Sequence, residues 1–311
     1  MNHQVKRRRV PVHGVLLLDK PAGISSTQAL AKAKWLLNAE KAGHTGTLDP
    51  FATGLLPLCF GEATKYASDL LDADKSYEAT VHLGVTTSTG DTEGEVLENR
   101  EVRVTREQID SALSHFNGKI SQTPPMYSAL KVDGKPLYAY AREGITLERK
   151  SREILIHEIE LMEFDFTTLK IRVRCSKGTY VRVLGEDIGK ALGCGAHLTQ
   201  LRRTSIAHLS VAEAVPLSVL EESSEARSSL LRPVDSLTSM LPAVQLSEEL
   251  IRRFMHGQRL ALGRELGEHC LSLPLPEGRV RVLGPAGSFA GTAVVTHDLV
   301  LIPERVVSTT A

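Results

Sequence analysis

The chain has 311 residues, 42% of them hydrophobic, and its 37 basic and 37 acidic side chains give a formal net charge of zero at pH 7. This composition indicates a folded globular protein with room for one large domain and a small one. No stretch approaches the roughly 18 uncharged apolar residues of a transmembrane helix, so we expect no membrane span and a cytoplasmic location. The cysteines lie far apart without a C-x-x-C pair, which argues against a zinc site or a disulfide framework; they are Cys59, Cys175, Cys194 and Cys270.

The charges are segregated along the chain. Residues 170–203 hold eight basic and two acidic side chains, a local net charge of +6, whereas residues 211–250 hold seven acidic and two basic ones, a local net charge of −5. Zero overall charge argues against a nucleic-acid partner because phosphate contacts use positive charge, but a local basic excess favours one. The alternative is that these charges only solvate helices and strands.

The first elements follow a basic arm, predicted for residues 1–11 from Lys6, Arg7, Arg8 and Arg9. The apolar run 15–18, bounded by Gly14 and Lys20-Pro21, predicts a buried strand. Ser25 with Gln28 three residues later forms a capping box and predicts a helix of about twelve residues. Its apolar positions are Leu30, Ala33, Trp35 and Leu37.

Alternating patterns predict two half-buried strands, over 75–85 and 169–175. The second strand places Lys170, Arg172 and Arg174 in one row, which is a candidate surface for RNA. Thr105 and Gln108 form another capping box, which predicts a helix that stops at Gly118. Strands mixed irregularly with helices indicate an α+β domain around a mixed sheet.

The last part of the chain reads as a separate small unit. Residues 213–240 are rich in Ser, Glu and Leu, and short strand-like runs follow at 278–283, 293–295 and 299–302. One helix is expected at 248–256. We therefore predict a large domain at 12–240 and a small β domain at 241–311.

The segment Gly43-His44-Thr45-Gly46-Thr47-Leu48-Asp49-Pro50 has the composition of a structured loop around one carboxylate. Pro50 disfavours the α conformation at Asp49, and the apolar run 55–60 would anchor the loop to the core. Asp49 is thus either a presented catalytic carboxylate or the cap of a turn, which is what most Asp-Pro pairs provide.

Further segments decide between these readings. Residues 20–26, 43–57, 61–65, 74–77, 176–182 and 198–204 together resemble the TruB family of tRNA pseudouridine synthases, and the resemblance covers about residues 12–210. It implies the pseudouridine synthase fold, acting on the uridine at position 55 of the tRNA T-loop. We expect no metal or cofactor, and nothing in the sequence demands more than a monomer. Residues 243–311 resemble, more weakly, the PUA RNA-binding domain, whose target would be the acceptor stem; a structural cap is the alternative.

The resemblance also implies roles for single residues. Asp49 matches the nucleophilic aspartate, Arg182 the arginine paired with it, and Tyr77 the aromatic residue that stacks on the target base and is a candidate for proton abstraction. Positions on the substrate side are matched by Lys20, His44, Tyr180 and Leu201.

These residue types suit the chemistry without any resemblance. Breaking an N-glycosidic bond and forming a C–C bond requires a nucleophile and a group that removes a proton. An arginine beside a carboxylate lowers its pKa and orients it, and an aromatic face compensates for stacking lost when a base flips out, while His44 could fill the space left behind. Whether the aspartate attacks C6 of uracil or C1′ of ribose, or a glycal route operates, stays open.

Other readings of the same residues exist. Tyr77 and Tyr180 could be packing aromatics, His44 a hydrogen-bonded loop residue, and Arg182 a surface charge on a helix capped by Thr179. An RNA-binding or tRNA-folding module would use the loop only structurally. A strand that ends in Asp19 is also typical of aspartate-nucleophile phosphohydrolases, but Pro21 stands where their second aspartate should be.

Overall fold

The computed structural model describes residues 8–223, 226–265 and 277–308. Within these ranges the chain forms a large unit around a ten-stranded sheet and a small unit around a five-stranded sheet. Helices pack beside both sheets, so the predicted α+β class is confirmed.

The elements of the large unit are as follows. Its strands are β1 (Gly14–Lys20), β2 (Ala42–His44), β3 (Thr53–Phe60), β4 (Lys75–Leu83), β5 (Val85–Thr87), β6 (Val96–Asn99), β7 (Gly118–Gln122), β8 (Lys131–Val132), β9 (Lys135–Pro136), β10 (Arg152–Asp165), β11 (Thr168–Cys175), β12 (Ala196–Ile206), β13 (Leu209–Ser210) and β14 (Val215–Pro216). Its helices are α1 (Ser26–Leu36), α2 (Ala67–Leu71), α3 (Arg106–Phe116), α4 (Leu137–Arg142), α5 (Val181–Ala191) and α6 (Leu217–Glu222).

The main sheet is mixed, as predicted. Its strand order is β14-β1-β3-β12-β4-β11-β10-β7, with β2 beside β3 and β13 beside β12. The pairs β1–β14 and β3–β12 are parallel and the others are antiparallel. At its centre, Arg203 on β12 lies opposite Tyr77 on β4 and Gly54 on β3, so residues far apart in sequence meet here.

Local sequence signals account for several elements. Both capping boxes are present: the Ser25 side chain accepts from the Gln28 amide before α1, and the Thr105 side chain accepts from the Gln108 amide before α3. The alternation in β4 is also as predicted, because every second residue from Tyr77 to Leu83 is buried.

Trp35 departs from the pattern. The sequence places it among the apolar positions of α1, but its side chain is 68% exposed. The buried positions of α1 are instead Ser26, Ala29, Ala33 and Leu36, a spacing of three or four residues that leaves Trp35 outside the buried face.

The basic row on β11 is countered by acidic neighbours. Lys170 lies 3.6 Å from Glu163 and Arg172 3.1 Å from Glu160, both of which belong to β10. Since β10 is the hydrogen-bonded neighbour of β11, its glutamates offset the positive charge that the linear sequence suggests for RNA binding.

The small unit follows Pro242. It contains β15 (Ala243–Gln245), α7 (Glu248–Met255), β16 (Leu260–Ala261), α8 (Leu262–Glu265), β17 (Gly278–Leu283), β18 (Phe289–Val295) and β19 (Val300–Val306). The sheet order is β15-β17-β18-β19-β16. The helix predicted at 248–256 and the three predicted strands are present; the expectation of one helix is wrong, and β15, β16 and α8 were missed because each has four residues or fewer.

Polar contacts fix the small unit to the large one. The Asp69 carboxylate, in α2, accepts from Arg279 at 3.0 Å and from Arg305 at 3.1 Å. Lys65 donates to the Val306 carbonyl at 2.8 Å. The apolar cluster behind these contacts also spans both units, because Phe289 and Val307 pack against the core of the large unit.

No helix in the described part of the chain is long and apolar enough to cross a membrane. Cys59, Cys175 and Cys194 are buried free thiols, and burial raises the pKa of Cys59 to about 12. Cys270 lies outside the described residues. Among those residues, no group of three His, Cys, Asp or Glu side chains could hold a metal ion.

Candidate active site

Asp49 lies on a loop between β2 and β3, residues 45–52, which we call the Asp49 loop. Ser26, buried at the start of α1, donates its hydroxyl to the Leu48 carbonyl at 2.9 Å and accepts the Leu48 amide at 2.8 Å. On the other side of Asp49, the Pro50 carbonyl accepts from the Gly23 amide at 2.9 Å. The residues on both sides of Asp49 are thus held by α1 and its preceding turn.

The Asp49 side chain pairs with Arg182. Its Oδ2 accepts from Arg182 Nε at 2.9 Å, and about a third of the Asp49 side chain stays exposed whereas only 4% of Arg182 does. The two remaining guanidinium nitrogens of Arg182 donate to the carbonyls of Thr89, at 2.9 Å, and Tyr127, at 2.7 Å. A guanidinium fixed in this way leaves its partner carboxylate oriented and open to a ligand.

This geometry removes one alternative reading. Tyr180, not Thr179, is the N-cap of α5, and it makes no side-chain capping bond. Arg182 is in the first turn of that helix but points into the protein, so it is not a surface charge.

A second carboxylate shares the same arginine. Asp91 is nearly fully buried, and its Oδ2 lies 3.5 Å from Arg182 Nε. Its other oxygen accepts from the Thr89 hydroxyl at 2.5 Å and the Glu93 amide at 2.9 Å. Asp91 therefore ties the 89–93 turn to the arginine that orients Asp49.

Opposing effects act on the pKa of the Asp49 carboxyl. Burial raises the pKa of its carboxyl above the ordinary value, Arg182 opposes that rise, and the neighbouring Asp91 adds to it. The net direction is upward. The ionised form of the Asp49 carboxyl thus depends on the arginine beside it.

Tyr77 lies on β4 opposite Arg203 and only 8% of it is exposed. Burial raises the pKa of Tyr77, and the neighbouring Arg203 side chain opposes that rise. Arg203, fully buried, donates to the carbonyls of Leu55, at 2.7 Å, and Gly46, at 3.3 Å. It therefore connects Tyr77 with the Asp49 loop.

Lys20 is fully buried, and its ammonium group is not free to contact a substrate, because it is hydrogen-bonded within the protein. Its ammonium donates to the carbonyls of Ile24 at 2.7 Å, Pro21 at 2.8 Å and Pro50 at 3.3 Å. Burial lowers its pKa to about 8, against the effect of Asp49. In this structure Lys20 braces the turn beside Asp49; a direct substrate contact stays a prediction.

The other predicted residues surround this centre. His44 ends β2, its pKa is lowered by burial and by Arg203, and its Nδ1 has no partner among the described residues. The Tyr180 backbone amide donates to the Gln122 side-chain oxygen at 2.8 Å, and the Gln122 side-chain nitrogen donates to the Tyr180 carbonyl at 3.1 Å. The Arg152 guanidinium lies 5.2 Å from the centroid of the Tyr180 ring. Leu201 is buried on β12.

Sequence reasoning missed several participants. Ser26 and Arg203 lie in segments that carry the family resemblance, but no sequence pattern assigns a role to them or to Asp91, because those roles come from contacts across 22 to 157 residues. Asp19, considered as a phosphohydrolase aspartate, instead forms a two-bond ion pair with Arg202 at 2.7 and 3.0 Å.

Comparisons with known proteins identify the family of this chain. The model of the TruB family pseudouridylate synthase N-terminal domain matches residues 34–181, and two TruB C-terminal models match residues 182–239 and 242–307. "tRNA pseudouridine synthase B" of Ralstonia nicotianae is 56% identical, with 98% of each chain covered. The protein of that name from Burkholderia mallei is 53% identical, covering 97% of this chain and 99% of its own.

A solved structure shows the same architecture. The protein chain from an H/ACA RNP bound to a substrate RNA containing 2′-deoxyuridine superposes with a TM-score of 0.71 at 25% identity, covering 95% of this chain and 85% of that one. The mixed sheet is thus that of an enzyme with the pseudouridine synthase fold. The chain belongs to the TruB family of pseudouridylate synthases.

Proposed function

We propose that this protein isomerises the uridine at position 55 in the T-loop of tRNA to pseudouridine, with Asp49 as the nucleophile. The observation that carries the proposal is the Asp49–Arg182 pair, which joins an open carboxylate to a buried guanidinium in a chain that matches curated tRNA pseudouridine synthases over nearly its whole length. The reaction needs no net oxidation, because the uracil leaves and rejoins the same ribose.

The other residues of the site take complementary roles in this proposal. The target nucleotide leaves the stacked loop, and its base stacks on the Tyr77 ring, which compensates for part of the lost stacking. His44, uncharged because burial and Arg203 lower its pKa, fills the vacated space without adding a cation. Tyr180 and Leu201 line the substrate side, and Lys20 holds the turn beside the nucleophile.

Arg182 supplies the electrostatic part of catalysis. In the free enzyme its guanidinium keeps the Asp49 carboxylate ionised against the effect of burial. Its bonds to the Thr89 and Tyr127 carbonyls keep it in place when Asp49 turns toward the substrate. The guanidinium of Arg182, held in this way, needs no reorientation at the moment of reaction.

The small C-terminal unit extends the binding surface in the proposal. As a PUA-like domain it contacts the acceptor stem, while the large unit holds the T-arm. The contacts of Asp69 with Arg279 and Arg305 support this role, because they fix the small unit at a set position relative to the cleft.

Mapping pseudouridine in tRNA from cells that lack the protein tests the substrate and the position together. We expect loss of pseudouridine at position 55 alone, and its return when the wild-type gene is restored. Unchanged pseudouridine at that position, or loss at a different one, would overturn the proposal.

A further inference from the structure

Trp35 is the single tryptophan of the chain, and it lies on the surface at the end of α1. Large aromatic side chains are among the most costly to leave in water, and Trp is usually mostly buried. On a helix, the residues three or four positions away are its surface neighbours, and here they are Ala31, Lys32, Asn38 and Ala39. None of these four is a large apolar residue, and Lys32 is paired with Glu221.

Basic residues lie in the chain segments beside Trp35. Lys34 precedes Trp35 on α1. Lys41 is exposed and lies five residues after the end of that helix. Residues 8–10 lie against residues 38–40: the Asn38 side chain donates to the Arg8 carbonyl at 2.8 Å, and Arg9 donates to the Ala39 carbonyl at 3.2 Å. We call Arg8, Arg9, Lys34, Trp35 and Lys41 the Trp35 patch.

The positive charge of the Trp35 patch is not neutralised. Within the described ranges, none of its four basic side chains has a carboxylate within ion-pair distance, although Glu40 lies in the same stretch of sequence. Some other basic residues are paired with acidic ones, such as Arg172 on β11 with Glu160 and Lys177 with Asp72. An unpaired basic cluster beside an exposed aromatic ring matches a nucleic acid, with phosphates near the cations and a base on the ring.

The Trp35 patch also lies within reach of an RNA in the cleft. Trp35 is nine residues along α1 from Ser26, which contacts the Asp49 loop, and at about 1.5 Å per residue this is about 14 Å along the helix axis. The separation is less than half of a nucleic-acid helical turn of about 34 Å. One RNA molecule can therefore reach both places.

We propose that the Trp35 patch is a second RNA-binding site, in which an unpaired nucleobase of the substrate stacks on the Trp35 indole and adjacent phosphates contact the basic side chains. The inference rests on the proposed function, since it takes the RNA in the cleft as its ligand. A protein partner would need an apolar surface beyond one indole, which the neighbours of Trp35 do not provide.

Tryptophan fluorescence of the full-length protein tests this directly, because Trp35 is the only source of that emission. On titration with an unmodified tRNA transcript we expect the emission to be quenched and the indole to be shielded from acrylamide. Trp35→Ala should raise the Kd for the same transcript by about fivefold or more, and Trp35→Phe should restore most of the affinity. Trp35 is exposed, so thermal unfolding of both variants should match the wild type.

Phe166→Ala is the matched control. Phe166 is 84% exposed on the β10–β11 hairpin, but its neighbours Asp165 and Glu163 are acidic, so its loss should leave the Kd unchanged. Equal Kd values for wild type and Trp35→Ala, or emission that changes with protein concentration in the absence of RNA, would overturn the second site. Tritium release from uracil-labelled tRNA by the wild type, measured in parallel, separates that outcome from failure of the proposed function itself.

Discussion

At the scale of single residues, the proposed reaction depends on the ionisation of Asp49. Because burial raises the pKa of its carboxyl, acid should protonate the nucleophile and lower the single-turnover rate. Arg182→Met removes the guanidinium that opposes this rise, so the acid limb of the pH–rate profile should move to higher pH. Arg182→Lys keeps a positive charge and should move the limb less. Identical acid limbs in all three proteins would contradict this electrostatic role.

Glu186 gives a second residue-scale prediction, on stability. Burial raises the pKa of Glu186, one turn after Arg182, to about 7 from an ordinary 4.5. A carboxyl with a raised folded-state pKa stabilises the fold below the unfolded-state pKa, and that contribution is lost as pH rises through the folded value. The unfolding free energy of Glu186→Gln, measured relative to wild type, should therefore rise by about 2 kcal/mol when the pH is raised from 5 to 8.

Urea unfolding at both pH values measures this gain. Glu153→Gln, at an exposed site on β10, is the matched control and should show no such pH-dependent gain. A Glu186→Gln difference that is the same at pH 5 and pH 8 would show that the carboxyl is not buried in the way described.

At the scale of elements, the start of α1 holds the Asp49 loop. Ser26→Ala removes both hydrogen bonds to Leu48 and leaves a buried amide and carbonyl unpaired, which costs about 1–3 kcal/mol each. We expect a lower unfolding free energy and a kcat at least tenfold lower, since Asp49 is next to Leu48. Ser25→Ala is the control: it removes the cap of the same helix, costs about 1 kcal/mol, and should leave kcat nearly unchanged. Equal kcat losses in the two variants would argue against a specific role for Ser26.

The elements also show what the sequence could predict. The capping boxes at Ser25 and Thr105 and the alternation in β4 are local signals, and the structure follows them. The pairing of Arg172 with β10 and the three-way contact of Arg203 depend on which strands become neighbours, which no local pattern specifies. For the same reason the Asp49 loop could be located from sequence, whereas Asp91 could not.

At the scale of the whole molecule, the contacts of Asp69 with Arg279 and Arg305 hold the small unit in place against the large one. Asp69→Ala removes the carboxylate that both Arg279 and Arg305 contact, while Arg279 keeps Glu304 as a partner. If the small unit binds the acceptor stem, this variant should bind full-length tRNA several-fold more weakly but modify an isolated T-arm hairpin at the wild-type rate. If the variant also modified the hairpin several-fold more slowly than the wild type, the substitution would act on the cleft and not through the small unit.

The central claim is that the Asp49 carboxylate is the nucleophile. Tritium release from uracil-labelled tRNA by Asp49→Asn, with tRNA binding measured on the same preparation, tests it most directly. Asp110→Asn, at an exposed carboxylate on α3 that pairs with Arg106, controls for the loss of one charge and should release tritium at the wild-type rate. We predict that Asp49→Asn binds tRNA and releases no tritium above background; release at the wild-type rate would contradict the account.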